Sequence, residues 1–195
     1  MKSLIVIPSR YESTRFPGKS LALIAGKSMI SRVWEVACAV CHASEVYVAT
    51  DDQRIFDHVV SFGGQAVLTP KTCKNGTERV YATLQLLHDT PDVVINFQGD
   101  APLTPPWVIE ELLIAMYDNP EVGIATLAIH MDSLHNICQY ETLRRLNVSG
   151  TYVVFDKNYN ALYFSKAFSY FLKHHLQKHF FSNKLFLYKY QLYLS

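Results

Sequence analysis

The sequence has no long apolar run. Its first, residues 4–7 (LIVI), stops at Pro8, far too short for a signal peptide or a membrane span. Charge of one sign is not in excess either: 18 Lys and Arg against 17 Asp and Glu leave +1, which argues against a global basic field for nucleic acid. Cysteine is scarce, with four in 195 residues, so a disulfide scaffold is excluded. Together these absences set the expectation of a cytoplasmic protein without membrane or nucleic-acid partners. There is no internal repeat and no Walker A loop. Gly18-Lys19-Ser20 supplies the end of that motif, but Ser13 stands where its leading Gly belongs, and Leu21 fails likewise for Gly26-Lys27-Ser28.

A further absence is local. Residues 168–195 contain no Gly, Pro, Asp, Glu, Ala or Val, while nine of the 28 are Phe or Tyr and four are Lys. These aromatics keep no single helical face, which speaks against a membrane-surface helix. The residues that punctuate α/β units are missing. The expected organisation is therefore a domain over 1–167, C-terminally incomplete, followed by an aberrant tail over 168–195 that is not part of the fold.

What is present alternates strand and helix. Residues 4–7 read as a buried strand and 9–27 as a loop. Ile30, Val33, Trp34 and Ala37 fall at i, i+3, i+4 and i+7 and predict a helix over 28–40. Strands are predicted at 45–50, 66–68, 92–97 and 122–129, and helices at 54–62, 77–88 and 105–117. A hairpin is predicted from 152–155 and 161–165 around Asp-Lys-Asn-Tyr-Asn. This order implies an α/β fold with a mostly parallel sheet and helices on both faces, which binds ligands beyond the carboxyl ends of its strands.

Three polar motifs lie at those ends. The first, residues 9–19 (SRYESTRFPGK), carries Arg10, Arg15 and Lys19 around Gly18. Such a loop suits a polyphosphate, with glycine letting backbone amides come close; a solvated basic surface loop has the same spacing. The second is Asn75-Gly76-Thr77-Glu78-Arg79. Asn-Gly opens a turn, Thr77 can cap the following helix, and Arg79 with the first amides suits a phosphate or a base edge; a plain capped helix start is the alternative. The third is Asn96-Phe97-Gln98-Gly99-Asp100. A carboxylate on a Gly turn past a buried strand is a common Mg²⁺ ligand, and equally a common turn residue.

In this order and spacing the three motifs resemble the signature of the CMP-Kdo synthetase family, the cytidylyltransferases that activate 3-deoxy sugar acids. The stretches at 125–128 (ATLA) and 161–167 (ALYFSKA) resemble that family too, and the resemblance covers about 1–167. It implies a Rossmann-like nucleotidyltransferase fold and transfer of CMP from CTP to 3-deoxy-manno-octulosonate (Kdo) for lipopolysaccharide assembly. Mg²⁺ is the implied cofactor and a homodimer the usual assembly. The implied catalytic residues are Arg10, Lys19 and Asp100, with Asp100 the metal ligand. The implied substrate contacts are Ser13, Arg15, Gly18, Asn75, Gly76, Thr77, Arg79 and Gln98.

Departures from the family pattern are also legible. Ala101 stands where the family carries Glu, Tyr152 where it carries Lys, and Ser169-Tyr170 where it carries Ile-Pro. Its later sugar-site stretch, dimer-building arm and second metal carboxylate have no counterpart here. Two rivals follow: a CMP-sialic acid synthetase, disfavoured by the ALYFS stretch, and an inactive nucleotide-binding remnant. The CxxC of Cys38 and Cys41 lies in a predicted helix without a second ligand pair, and His174, His175 and His179 lack acidic neighbours, so neither is read as a metal site. The sequons at Asn75 and Asn147 carry no weight without a secretory signal.

Overall fold

The computed structural model describes residues 1–12, 16–87, 90–128, 151–165 and 186–188. They belong to two units, Met1–Leu113 and Ile114–Ser195.

The first unit is organised by strand β1 (Ser3–Ser9), whose residues Leu4, Ile5, Val6 and Ile7 are at most 2% exposed. A strand buried this fully needs partners on both edges and cover on both faces. Strand β4 (Glu45–Thr50) supplies one edge, in register from Leu4↔Glu45 to Ser9↔Thr50. Strand β6 (Val93–Asn96) supplies the other, from Ser3↔Val93 to Val6↔Asn96. Strand β5 (Gln65–Leu68) extends the sheet beyond β4. All these pairings are parallel, in the order β5-β4-β1-β6.

Side chains alternate across the sheet. Leu4 and Val6 cluster with Ala49 and with Val80 of helix α3 (Gly76–Leu86), and Leu84, Leu87 and Val94 pack around them. Ile5 and Ile7 point to the opposite face and are equally buried. Helix α1 (Met29–Cys38) packs on β1 and β4 and buries Ile30, Val33 and Ala37, one stripe at helical spacing. Helix α2 (Gln53–Ser61) covers β4 and β5 and buries Ile55 and Val59. Helix α4 (Pro106–Asp118) buries Ile109 and Leu113. Each fully buried Leu, Ile or Val among these contributes about 1.5–3 kcal/mol by leaving water. The expected α/β architecture with a parallel sheet is the one observed.

Three details differ from the sequence expectations. The loop predicted over 9–27 contains a 3-10 turn, Lys19–Leu21, and its end joins a small hairpin, β2 (Leu23–Ile24) against β3 (Lys27–Ser28). Ala25 and Gly26 turn it with φ of 47° and 80°, and Arg32 holds it by donating from Nε to the Ile24 carbonyl at 2.8 Å. The cap of α3 is Asn75, not Thr77: Asn75 Oδ1 accepts from the Glu78 amide at 2.9 Å, and Glu78 returns a carboxylate oxygen to the Lys74 amide at 2.8 Å. The helix predicted over 28–40 starts one residue later because Ser28 is its cap, accepting from the Ser31 amide.

In the second unit the strand expected over 122–129 is shorter: β7 spans Ile124–Thr126, residues 122, 123, 127 and 128 lie outside it, and residue 129 lies outside the described residues. Strands β8 (Tyr152–Phe155) and β9 (Ala161–Ser165) form the predicted hairpin. Asp156 organises its turn, accepting from the Asn158 and Asn160 amides at 2.8 and 2.9 Å. The Asn160 side chain, followed by these backbone donors, holds the Asp156 carboxyl below the ordinary carboxylate range. Within the segment 168–195, strand β10 (Phe186–Tyr188) pairs antiparallel with β7. Among the described residues no helix is long and apolar enough to cross a membrane.

Candidate functional site

The order β5-β4-β1-β6 places a topological switch between β1 and β6: after β1 the chain moves to β4 on one side, and after β5 it returns to β6 on the other. The loops leaving β1 and β6 therefore diverge and open a crevice at the carboxyl ends. All three polar motifs border it.

Pro8, near the end of β1, is where they meet. A Cβ on Gly99 would lie 2.9 Å from the Pro8 carbonyl oxygen, so only glycine allows the loop after β6 to sit this close. A Cβ on Gly76 would lie 3.2 Å from Pro8 Cγ and 3.9 Å from Gln98 Nε2, which puts the start of α3 against the same proline. Lys19 Nζ is 2.8 Å from Asp100 Oδ2, a pair that bridges the first and third motifs. Both side chains are about half exposed, so the pair faces solvent and is open to exchange for a ligand's charges.

The loop after β1 is closed at its neck. The Gly18 amide donates to the Tyr11 carbonyl at 2.8 Å, and Gly18 has φ 70°, where glycine is favoured. Below the neck Ser9 Oγ donates to Ser20 Oγ at 2.7 Å, both residues buried. Arg10 and Lys19 thus flank the closure. Arg10 is exposed, with no hydrogen bond or ion pair among the described residues. Ser13 and Arg15 lie outside the described residues.

Of the second motif, Asn75 is used as the cap, and Thr77 is exposed with its Oγ1 3.5 Å from Asn96 Nδ2. Gln98 Nε2 donates to Asn96 Oδ1 at 3.1 Å, so Thr77, Asn96 and Gln98 form one polar row. Arg79 takes a different place from the one its motif suggested. It is 4% exposed, and it donates from Nη1 to Thr69 Oγ1 at 2.6 Å and from Nη2 to Asp51 Oδ2 at 2.9 Å. A buried guanidinium needs fixed partners, and these fasten α3 to the ends of β4 and β5. Asp51 and Thr69 were not singled out in the sequence, where Asp51-Asp52 reads only as a strand stop.

Beyond β4 and β5 lies an open cleft of ≈ 510 Å³, with Asp52, Arg54, Thr69 and Lys71 among its lining. Arg54 grips Asp52 in a two-point contact, Nε to Oδ1 at 2.9 Å and Nη2 to Oδ2 at 2.7 Å. Arg54 thereby holds the Asp52 carboxyl below its ordinary range, chiefly by the side-chain hydrogen bond.

For Mg²⁺, Asp100 offers a hard oxygen ligand with room for the waters this ion retains. Among the described residues no group of three His, Cys, Asp or Glu could hold a metal alone. Cys38, Cys41 and Cys73 are free thiols, and burial raises the Cys38 thiol above its ordinary value.

A parallel α/β domain with a basic loop and a carboxylate facing each other at its switch point defines a nucleotide-binding domain. The cytidylyltransferase family model matches residues 4–194, and the chain belongs to that family. Within it, the chain is 49% identical over 166 residues to the 3-deoxy-manno-octulosonate cytidylyltransferase of Maricaulis maris, covering 85% of this chain and 64% of that protein. It is 41% identical over 166 residues to the protein of the same name from Chlamydia trachomatis serovar A, covering 85% of this chain and 62% of that one. The chain thus spans just under two thirds of these relatives' length. A solved structure of CMP:2-keto-3-deoxy-manno-octonic acid synthetase complexed with CTP superposes with a TM-score of 0.76 at 33% identity, covering 96% of this chain and 71% of that one.

Proposed function

We propose that this chain carries the nucleotide half of an enzyme that transfers CMP from CTP to the anomeric hydroxyl of Kdo, giving CMP-Kdo and pyrophosphate for lipopolysaccharide assembly. The observation that carries this reading is the meeting of Lys19 and Asp100 across the switch point, in a chain of the cytidylyltransferase family. The names of its relatives and the CTP in its structural neighbour support the choice of substrates.

In this mechanism Arg10, Arg15 and Lys19 bind the triphosphate, Lys19 leaving Asp100 for a phosphate oxygen. Backbone beside Gly18 approaches the phosphates without a side chain in the way. Asn75, Gly76, Thr77 and Gln98 border the nucleoside and sugar side, and Arg79 supports them from within. The sugar hydroxyl attacks the α-phosphorus in line, and pyrophosphate leaves without a covalent enzyme intermediate. Mg²⁺ held by Asp100 would neutralise charge on the leaving pyrophosphate. Catalysis by these side chains is positioning and electrostatics. A cytoplasmic location belongs to the same proposal; the family's usual homodimer does not, because its dimer-building arm has no counterpart here.

Residues 168–195 are proposed not to supply the sugar pocket, since the identity with the Maricaulis protein extends over 166 residues. The 195-residue chain alone is then expected to bind CTP with little pyrophosphate release on adding Kdo. Family-like turnover in a pyrophosphate assay would place a sugar site in that segment. A second reading, a nucleotide-binding remnant, is favoured by Ala101 beside Asp100; CTP binding without turnover, in a chain extended by the C-terminal third of a relative, would mark it.

A further inference from the structure

The loop that carries Arg10 and Lys19, two of the three expected phosphate cations, is held from outside by a stack of three side chains. It begins at the start of α2, where Asp52 caps the helix, its Oδ1 accepting from the Arg54 amide at 3.0 Å. The same carboxylate takes two guanidinium hydrogens of Arg54 at 2.9 and 2.7 Å, which fixes the guanidinium plane. That plane lies over the ring of Tyr11, with Cζ 3.4 Å from the ring centroid. The Tyr11 ring in turn lies against Gly18: a Cβ there would meet ring atoms Cε2 and Cζ at 3.1 Å. Tyr11 also accepts the Gly18 amide on its carbonyl at 2.8 Å. Tyr11 therefore touches Gly18 twice, once by backbone and once by ring.

The geometry points to Tyr11 as a positioning residue, whose ring, clamped by Arg54, keeps the loop neck closed and so holds Arg10 and Lys19 at one fixed spacing. Without the clamp the buried Gly18 amide is opened to water, the neck is left to its backbone hydrogen bond and the Ser9–Ser20 contact below it, and Arg10 and Lys19 must be ordered when a triphosphate arrives. Ordering long side chains on binding costs affinity. Among the described residues the Asp52–Arg54 pair touches the loop through the Tyr11 ring, with Glu12 close enough to act on Arg54 by charge, which makes the start of α2 a remote determinant of phosphate affinity. This inference rests on the proposed CTP site, and its test separates the two.

The probes are CTP and cytidine, titrated by calorimetry into the full chain, and hydrogen exchange at the Gly18 amide, which needs no ligand. Tyr11→Leu is expected to weaken CTP about tenfold, the upper range for ordering such side chains, to leave cytidine unchanged and to speed Gly18 exchange. Tyr11→Phe keeps a ring that fills the same place and is expected to restore all three parental values. Arg54→Met is expected to weaken CTP by about two- to fivefold, the range of an exposed cation–π contact. A Tyr11→Leu chain that binds CTP as the parent does, or loses CTP and cytidine equally, overturns the positioning role. If the parent binds no CTP, the proposed function fails first; Gly18 exchange unchanged in Tyr11→Leu would then overturn the clamp as well, and faster exchange would uphold it.

Discussion

Lys19 and Asp100 are 81 positions apart in sequence, yet Lys19 Nζ and Asp100 Oδ2 are 2.8 Å apart. Under the proposed function each group would meet its own counter-ion in a metal-bound triphosphate, phosphate for the lysine and Mg²⁺ for the aspartate. The pair would then be a placeholder that ligand must open. Asp100→Asn is expected to abolish the gain in CTP affinity on adding Mg²⁺ while leaving metal-free CTP binding no weaker than the parent's, since Lys19 is released. Calorimetry with and without Mg²⁺ checks this, and parental Mg²⁺ dependence in the variant would remove Asp100 from the metal site.

Arg10→Ala and Lys19→Ala should each weaken CTP by about 1.5–3 kcal/mol, the range for a charge-assisted hydrogen bond. Cytidine has no phosphate and should be unaffected. Equal losses for both ligands in a titration would move these residues away from the phosphates.

Gly99→Ala should damage both the fold and the site. Its methyl would lie 2.9 Å from the Pro8 carbonyl, and backbone cannot swing aside as a side chain can. Forced overpacking of this kind costs about 1–3 kcal/mol. The loops after β1 and β6 would move apart, lengthening the Lys19–Asp100 contact. Denaturant melts together with CTP titration would reveal the double loss; an unchanged midpoint would mean the backbone yields freely.

Arg79→Met separates support from contact. Arg79 is buried but Asp51 keeps 20% exposure, so removing the guanidinium costs about 1–3 kcal/mol, the range for leaving a buried polar group without its partner. Stability should fall by that order. CTP affinity, measured at a temperature where the variant is folded, should change little. A variant of parental stability that cannot bind CTP would return Arg79 to the ligand.

Acid should loosen the Asp52–Arg54 contact. Arg54 holds the Asp52 carboxyl below its ordinary range, so the folded state favours the carboxylate. The stabilisation is complete above the unfolded carboxylate value of about 3.9 and is lost as pH falls through the depressed folded value. Asp52→Asn should flatten stability over that acid window and leave it parallel to the parent above pH 6. A parental acid profile in the variant would show that the contact contributes nothing measurable.

The elements legible in sequence were those whose pattern is local. Four apolar residues before Pro8 announced β1, and Ile30, Val33 and Ala37 announced α1, because burial imposes its period on neighbours in the chain. The motif positions were legible for the same reason: each occupies a few consecutive residues at a strand end. What escaped depended on partners far along the chain. Arg79 looked like a ligand contact because Asp51, 28 positions away, could not be seen beneath it. Thr77 was the expected cap, and Asn75 takes that place through its contact with Glu78. The two-residue strands β2 and β3 are too short to carry a period. Strand β10 becomes visible only through its pairing with β7.

The place of β1 also shapes how the chain acquires its structure. Strand β1 precedes both of its neighbours in the chain, and they come late: Leu4 pairs with Glu45, and Ser3 pairs with Val93. At roughly 5–20 residues per second a ribosome needs on the order of 5–20 s to extend the chain from β1 to β6. During that interval one edge of a strand with four consecutive apolar residues has no partner and invites pairing with another nascent copy. Slower synthesis between residues 50 and 93 would prolong this exposure, and a chaperone that shields residues 3–9 would shorten its effect. The yield of native protein is therefore tied to the pace of translation ahead of β6.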